Sequence, residues 1–254
     1  MGAENATAAV DPQLISDLIS ANHILYDQGV LDAFGHVSVR HDKDPQRFLL
    51  ARNMAPALVT AADIVEFQLD GTAINGAGRA VYLERFIHGE IYRARADVMA
   101  VVHSHSPAVV PFSAVQTSPL RALCHMAGFL GTSTPIYEIR DFAGDGSDLL
   151  ITDNRLGASL AQVLGQRSVV LMRGHGSTAV ADSLVTAVYR AVYTEINARI
   201  QTDALRLGPV NFMSEAEGRS TAQTIEGQGK RAWDLWKKTA ELRCAELAAA
   251  QTAV

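Results

Sequence analysis

Short apolar runs of about five residues recur through the first two thirds of the 254-residue chain, and helix-like segments separate them. Runs of this length, bounded by turn residues, are typical of strands rather than of long helices. Asp70-Gly71 adds a hairpin signal after one of them. The pattern predicts an α/β fold around a mixed or largely antiparallel sheet, with strands at 36–40, 47–51, 64–68, 98–103, 109–115, 120–124, 134–139 and 167–172.

Helices are predicted where apolar residues recur at helical spacing behind a capping residue. Asp11-Pro12 starts the first helix, which ends near Gly29, and Asp182 or Ser183 caps a long one over 182–206. Others are expected at 83–95, 153–165 and 214–249. Phosphate loops of the GxGxxG or GxxxxGK[ST] type do not occur, which argues against a nucleotide fold. We predict one domain over 1–254, with its core at about 11–206 and a C-terminal helical extension at 213–250.

Composition excludes several classes of function. The formal net charge is −5, so nucleic acid is not an expected partner. Two cysteines, Cys124 and Cys244, are too few for a disulfide framework. The N-terminal residues do not resemble a signal peptide, and no apolar stretch is long enough to span a membrane. These features predict a cytoplasmic protein with no membrane contact.

Two histidines follow one of the apolar runs, in the segment AVVHSHSP. Side chains alternate along a strand, so His103 and His105 are expected on one side, about 6–7 Å apart. Imidazoles at that distance can bind one metal ion. For an isolated His-x-His pair, a buried structural histidine beside a surface histidine is an equally good interpretation.

Two further features favour a metal site. Glu84 lies on the helix that leads into this strand, and His175 lies between two glycines after another apolar run. Glycine permits backbone angles that bring an imidazole into a crowded site. Three histidines and one carboxylate suit Mn, Zn, Fe or Co. Alternatively, Glu84 pairs with a cation such as Arg85, and His88, one turn after Glu84, makes a structural hydrogen bond.

The segment ERFIHGEIYRARADVMAVVHSHSP, followed some seventy residues later by RGHG, resembles the class II aldolase/adducin family. GHVSVR matches that family's first glycine stretch, and the likeness extends from about residue 14 to 200. The resemblance implies a three-layer α/β/α sandwich around a mixed, mainly antiparallel sheet. It also implies a homotetramer with active sites at subunit interfaces. By the family's pattern, His103, His105 and His175 are metal ligands, and Glu84 is a ligand or an acid/base.

The sequence departs from the family members that bind sugar phosphates. His36 replaces an asparagine, Asn53-Met54 replaces a hydroxyl-glycine pair, and Tyr82-Leu83 replaces a pair of serines. The groups that would donate to a phosphate are thus missing. The residues in their place suit a planar carboxylated ligand, because Arg52 and Arg79 can bind carboxylates while Met54, Tyr82 and Leu83 offer an apolar wall. We therefore expect substrate contacts from His36, Arg52, Asn53, Arg79 and Tyr82.

The family's aldolases use a tyrosine from a neighbouring subunit as proton donor, and its position is occupied here by His125. Histidine can protonate a carbanion near neutral pH. The pattern resembles the subgroup that decarboxylates hydroxylated aromatic or heteroaromatic dicarboxylates. We expect a metal-dependent lyase of this kind, with Glu84 and His125 as catalytic residues. The alternatives are an aldolase acting on a non-phosphorylated hydroxy-keto acid or sugar-derived substrate, or an epimerase. The retained histidines argue against an adducin-like binding module.

Overall fold

The computed structural model describes residues 9–76 and 78–252. Seven strands form one sheet in the order β3-β2-β1-β4-β7-β6-β5. All neighbours are antiparallel except β5 and β6, which are parallel. The strands are β1 (His36–Arg40), β2 (Arg47–Ala51), β3 (Ile64–Gln68), β4 (Ala100–Ser104), β5 (Ile136–Tyr137), β6 (Val169–Met172) and β7 (Gly176–Ala181).

Eight α-helices accompany the sheet in the described part of the chain, giving the predicted α/β architecture. Three short 3-10 helices, at Pro56–Leu58, Ala61–Asp63 and His125–Leu130, lie in the connections. The α-helices are α1 (Pro12–Asp27), α2 (Arg85–Ala94), α3 (Val110–Ala114), α4 (Arg140–Ala143), α5 (Asn154–Leu164), α6 (Leu184–Leu207), α7 (Glu215–Glu226) and α8 (Gly229–Thr252). None of the described helices combines the length and the apolarity needed to cross a membrane.

The helix caps follow from local chemistry. The Asp11 carboxylate accepts a hydrogen bond from the Gln13 amide, and Pro12 occupies the first turn of α1. Ser183, rather than Asp182, caps α6 by accepting from the Thr186 amide. Both starts agree with the prediction, because a side-chain oxygen at this position satisfies an amide that lacks a helical partner.

The register of β1 against β4 places His36 opposite His103. Residues directly opposite in an antiparallel pair share a face, so both imidazoles lie on the same side of the sheet. Helix α2 covers this side, since its His88 and Tyr92 contact Ser38 of β1. This side of the sheet, at the end of β4, carries the candidate functional residues.

Two predicted strands are wrong. Residues 109–115 contain helix α3, with Pro111 in its first turn, where the fixed φ of proline favours a helix. Residues 120–124 run beside α6 and form no strand; the amides of Leu123 and Cys124 donate to the Asn197 side chain. Apolar content alone does not separate these segments from strands.

Other boundaries differ from the prediction. The segment predicted as a strand at 134–139 pairs over only two residues, and the predicted helix over 214–249 is two helices, with Gly227 and Gln228 between them. Strand β7, which follows His175, was not predicted. Its sequence GSTAVA is rich in small residues and gives only a weak strand signal.

Candidate metal centre

Three parts of the fold bring four possible metal ligands together. Glu84 is the residue before α2, His103 is the fourth residue of β4, and His105 follows the end of that strand. His175 lies in the turn between β6 and β7. One ligand atom from each of the four lies within 4.8 Å of the others. These are the four residues that the sequence analysis assigned to the metal.

The distances within the cluster fit a single cation. The Nε2 atom of His105 lies 3.2 Å from that of His103 and 3.0 Å from that of His175. The Oε2 atom of Glu84 lies 3.5 and 3.4 Å from the Nε2 atoms of His103 and His175. Two atoms bound about 2.1 Å from one ion, at roughly 90 to 110° to each other, are about 3.0 to 3.4 Å apart. The donor set thus fits a divalent transition metal.

Burial and charge give the cluster the protonation states that metal ligands need. Burial lowers the pKa of His103, and burial and the neighbouring histidines lower the pKa of His105 to about 4. Burial would raise the pKa of Glu84, but hydrogen bonds to His103 and His175 hold it far below its usual range. Burial lowers the pKa of His175, but the Glu84 carboxylate outweighs it and the net shift is upward. An ionised carboxylate beside two readily neutral imidazoles is what a cation binds.

Backbone groups of one loop orient two of the ligands. The Nδ1 atom of His175 donates to the carbonyl of Leu149 at 2.9 Å, which leaves the Nε2 lone pair directed into the cluster. The amide of Ile151 donates to Oε1 of Glu84 at 2.9 Å. Leu149 has a φ of 69°, a conformation that costs a non-glycine residue about 1–2 kcal/mol. These contacts use backbone atoms, so the sequence carried no signal of them.

The glycines beside His175 have different roles. Gly174 has a φ of 66°, which shapes the turn. A Cβ at Gly176 would lie 2.1 Å from the carbonyl oxygen of Ser104, so only glycine lets β7 approach β4 at this point. Gly174 thus supplies the unusual backbone angle, and Gly176 the close approach, that the sequence predicts beside His175. Beside the turn, a cavity of about 310 Å³ is lined by His105, Asp148, Leu149, Leu150, Gly174 and His175.

His36 and Tyr82 lie beside the cluster. The ring centroid of His36 is 5.0 Å from that of His103 and 4.6 Å from that of Tyr82. Tyr82 is buried, its hydroxyl donates to the carbonyl of Met54, and burial raises its pKa to about 12. Leu83 is exposed. The structure therefore places His36 and Tyr82 at the site, with Met54 against Tyr82.

Arg52, Arg79 and Asn53 are placed differently. The Nε atom of Arg52 donates to Asp63 at 2.7 Å, and the side chain is partly exposed. The positive charge of Arg52 works against the rise in the pKa of Tyr82 that burial causes, so Arg52 lies near that side chain. Arg79 instead donates to the carbonyls of Ala62, Asn75 and Gly76 in its own surroundings. Asn53 is exposed, and its backbone amide donates to the carbonyl of Ala80.

His125 is not part of the cluster. It is exposed at the start of the 3-10 helix His125–Leu130, and it lines a different cavity, of about 390 Å³. Tyr189, Tyr193, Arg231 and Trp236 share that cavity.

The structure also decides between the alternatives for Glu84 and His88. Arg85 donates to the carbonyls of Gly71 and Tyr82 and does not pair with Glu84. His88 makes structural hydrogen bonds, to His36 and Ser38.

Comparison with known proteins gives matches over most of the chain. Residues 16–202 match the model of the class II aldolase and adducin N-terminal domain. The chain is 41% identical to Decarboxylase tropJ of Talaromyces stipitatus, over 89% of this chain and 94% of that protein. It is 30% identical to 3,4-dihydroxyphthalate decarboxylase of Arthrobacter keyseri, over 74% and 77% of the two chains. L-fuculose 1-phosphate aldolase of Glaciozyma antarctica has the same fold, with a TM-score of 0.74, 23% identity and coverage of 92% and 90%.

Proposed function

Because the chain belongs to the class II aldolase and adducin family and is a lyase, we propose that it is a metal-dependent decarboxylase of a small hydroxylated aromatic or heteroaromatic carboxylate or dicarboxylate. The observation that carries the proposal is the convergence of one carboxylate and three imidazole nitrogens, with two of the histidines, His105 and His175, lining a cavity. The similarity to two proteins named as decarboxylases supports this reaction class.

Glu84, His103, His105 and His175 would hold the cation. When bound, a Mn, Zn, Fe or Co ion supplies a Lewis acid that favours electron density moving toward an oxygen next to the bond that breaks. The loop carrying Leu149 and Ile151 keeps the ligands oriented, as the hydrogen bonds to His175 and Glu84 show. Glu84 uses Oε1 for that bond and keeps Oε2 directed at the histidines.

Other residues would bind and orient the substrate. Tyr82 and Met54 form an apolar wall beside His36, and Arg52 retains guanidinium donors besides the one that binds Asp63. A guanidinium can bind a carboxylate through two parallel hydrogen bonds. We assign the second carboxylate of a dicarboxylate to Arg52. Arg79 would contact substrate through the N–H donors that its three backbone hydrogen bonds leave free. Asn53 would do so through its exposed amide side chain.

His125 would supply the proton. When the bond to the carboxylate breaks, its electron pair stays on the ring carbon, and a proton from imidazolium His125 completes the C–H bond as CO₂ leaves. Since His125 and His105 line different cavities, the donor in this scheme comes from a second copy of the chain. The protein would then act as a homo-oligomer, a tetramer by its family resemblance, with active sites at the interfaces.

The test combines metal analysis with substrate screening. We expect the purified protein to contain about one divalent metal ion per chain and to release CO₂ from a hydroxyphthalate or a hydroxypyridine dicarboxylate. His103→Ala should lose both metal and activity, whereas His23→Ala, a change at a histidine bonded to Val59 instead, should lose neither. Metal-free wild type with full activity would overturn the proposal. Cleavage of a hydroxy-keto acid without CO₂ release would favour the aldolase alternative.

A further inference from the structure

Four side chains form a continuous hydrogen-bond chain beneath the candidate site. The Nδ1 atom of His36 lies 2.6 Å from Nε2 of His88, and Nδ1 of His88 lies 2.6 Å from the hydroxyl of Ser38. That hydroxyl lies 2.7 Å from the hydroxyl of Tyr92. All four residues are buried, and His88 and Ser38 are fully inaccessible. At its His36 end the chain contacts the metal cluster, since the His36 ring lies 5.0 Å from that of His103.

The deep end of the chain determines the direction of its hydrogen bonds. The Tyr92 hydroxyl has one proton and, among the described residues, one partner that can accept it, the Ser38 hydroxyl; the backbone amide of Val101 beside it can only donate. If Tyr92 donates to Ser38, then Ser38 can donate its own proton to Nδ1 of His88. His88 is then protonated on Nε2 and donates to Nδ1 of His36. Every proton between two members of the chain has an acceptor in this arrangement. The one that remains, Nε2–H of His36, belongs to the least buried member and lies at the site end of the chain, where a substrate can accept it.

The opposite direction leaves a proton without a partner. If His36 donated to His88 and His88 to Ser38, the Ser38 proton would go to the Tyr92 oxygen. The Tyr92 proton would then remain in the interior with no acceptor among the described residues. Buried donors without partners are rare because they lose their hydrogen bond to water and gain none. Burial also raises the pKa of Tyr92, so the hydroxyl keeps its proton.

We propose that Tyr92, Ser38 and His88 form a one-way hydrogen-bond chain that holds His36 in its Nε2–H tautomer, as a fixed donor to an oxygen of the substrate. In a ring whose Nδ1 accepts from His88, Nε2–H faces away from α2. The His36 ring packs against the rings of Tyr82 and His103. It lies close enough to Glu84 and His105 for their charges to affect its pKa. The substrate contact rests on the proposed function; the direction of the chain does not.

The direction can be measured directly by NMR. In the zinc-loaded protein with ¹⁵N-labelled histidine, the proton between the two rings should show its one-bond coupling to Nε2 of His88. His36→Gln would identify the His36 resonances by their loss. A one-bond coupling to Nδ1 of His36 would overturn the proposal. This readout needs neither substrate nor turnover, so it stands even if the proposed reaction is wrong.

The positioning role predicts a separate kinetic effect. His88→Phe keeps the ring packing against Phe48 but removes the donor to His36. We expect unchanged metal content and a KM about three- to tenfold higher, the range for one neutral hydrogen bond, with a smaller change in kcat. His41→Phe is the matched control, since His41 is equally buried at the other end of β1, and its KM should stay at the wild-type value.

The two readouts separate the possible failures. A wild-type KM in folded His88→Phe would show that the chain does not position His36. Should His88→Phe not fold, the coupling in the wild-type protein still decides the direction. Absence of CO₂ release in the wild type, together with the coupling on His88, would reject the proposed reaction while keeping the hydrogen-bond chain.

Discussion

Gly176, beside the metal centre, leaves no space for a larger side chain. The position of its missing Cβ lies 2.1 Å from a backbone oxygen of Ser104, and backbone cannot move aside as the end of a flexible side chain can. The same short contact holds β7 against β4, the strand that carries His103. The position of His175 relative to His103 therefore depends on residue 176 being a glycine, whose side chain is a single hydrogen atom.

We expect Gly176→Ala to destabilise the fold by about 3 kcal/mol, the cost of overpacking a tight contact, and to lower metal affinity. Gly174→Ala is the matched control. Its Cβ would lie 3.9 Å from Leu149 and meets only the strain of a positive φ, so the expected loss is about 1 kcal/mol. Denaturant unfolding and metal titration would measure both changes. Equal losses in the two variants would contradict the assignment of the short contact as the cause.

His125 offers a second prediction at the scale of one residue. Because it lies outside the metal cluster, His125→Phe should leave metal content unchanged while decarboxylation falls by about 10²- to 10⁴-fold, the usual contribution of a general acid. His125→Tyr, which restores the aldolases' proton donor, should keep part of the activity. CO₂ release and metal analysis on the same samples would check this. Wild-type turnover in the phenylalanine variant would remove His125 from the mechanism.

At the scale of elements, side chains of α6 hold two loops of the proposed site, one that carries His105 and one that leads into His125. The buried Glu195 carboxylate accepts from the Ser106 hydroxyl and the Ala108 amide, in the loop that carries His105. Two residues further on, Asn197 binds the amides of Leu123 and Cys124, just before His125. A single buried helix thus fixes two loops through side-chain oxygens.

Glu195→Gln should destabilise the fold by about 2 kcal/mol, because a hydrogen bond to a buried charge contributes more than a neutral one. It should also weaken metal binding by loosening the His105 loop. Arg199→Ala, which removes only the half-exposed cation paired with Glu195, should change the stability by less than about 1 kcal/mol. Thermal unfolding and metal titration of both variants test this. Unchanged metal affinity in Glu195→Gln would show that the loop holds His105 without it.

The sequence predicts the long elements and the residues of the cluster well for physical reasons. Periodicity and caps locate α1, α5 and α6, and the four cluster residues stand out because histidine and glutamate beside apolar strands are chemically unusual. Residues 120–124 resemble a strand in sequence because their apolar content reflects burial, whereas their amides bind the side chains of α6. Such partners lie more than 70 residues away and leave no local pattern.

The contacts that hold the site residues in place could not be predicted from the sequence for a similar reason. The carbonyl of Leu149 and the amide of Ile151 are present in every residue type, so their use in holding His175 and Glu84 cannot be read from side chains. Arg79 is an opposite case, in which the side chain gives a signal but the partner differs. Its residue type suggests carboxylate binding, whereas in the structure it donates to backbone carbonyls. Residue type indicates what a group can bind, and only the fold shows which partner it has.

For the whole molecule, the cluster joins the start of α2, the end of β4 and the β6–β7 turn. A cation bound by these segments stabilises the folded state, because the unfolded chain offers no such site. At a hundred times its dissociation constant, the metal should add about 2.7 kcal/mol and raise Tm by roughly 5–10 °C. Chelation should reverse the change in wild type, and His103→Ala should show none. Equal Tm values with and without metal would contradict a site across these three segments.

The separation of His125 from the metal cluster makes a final prediction about the assembly. His103→Ala lacks a proposed metal ligand and His125→Phe lacks the proposed proton donor, so each variant alone should have little or no activity. If each active site combines the metal centre of one chain with His125 of a neighbour, mixed oligomers will contain some sites with both groups intact. Random mixing in equal amounts should restore about one quarter of the wild-type CO₂ release per site in a closed symmetric oligomer.

The mixing experiment has a built-in control, because His103→Ala mixed with His105→Ala damages the same half of every site and should restore nothing. Co-expression with two different affinity tags would isolate the mixed oligomers, and CO₂ release would be compared with that of each parent. No recovery in the His103→Ala and His125→Phe mixture, despite mixed oligomers, would show that both groups act within one chain. Since His125 lines one cavity and the cluster residues His105 and His175 line another in the same chain, we expect recovery.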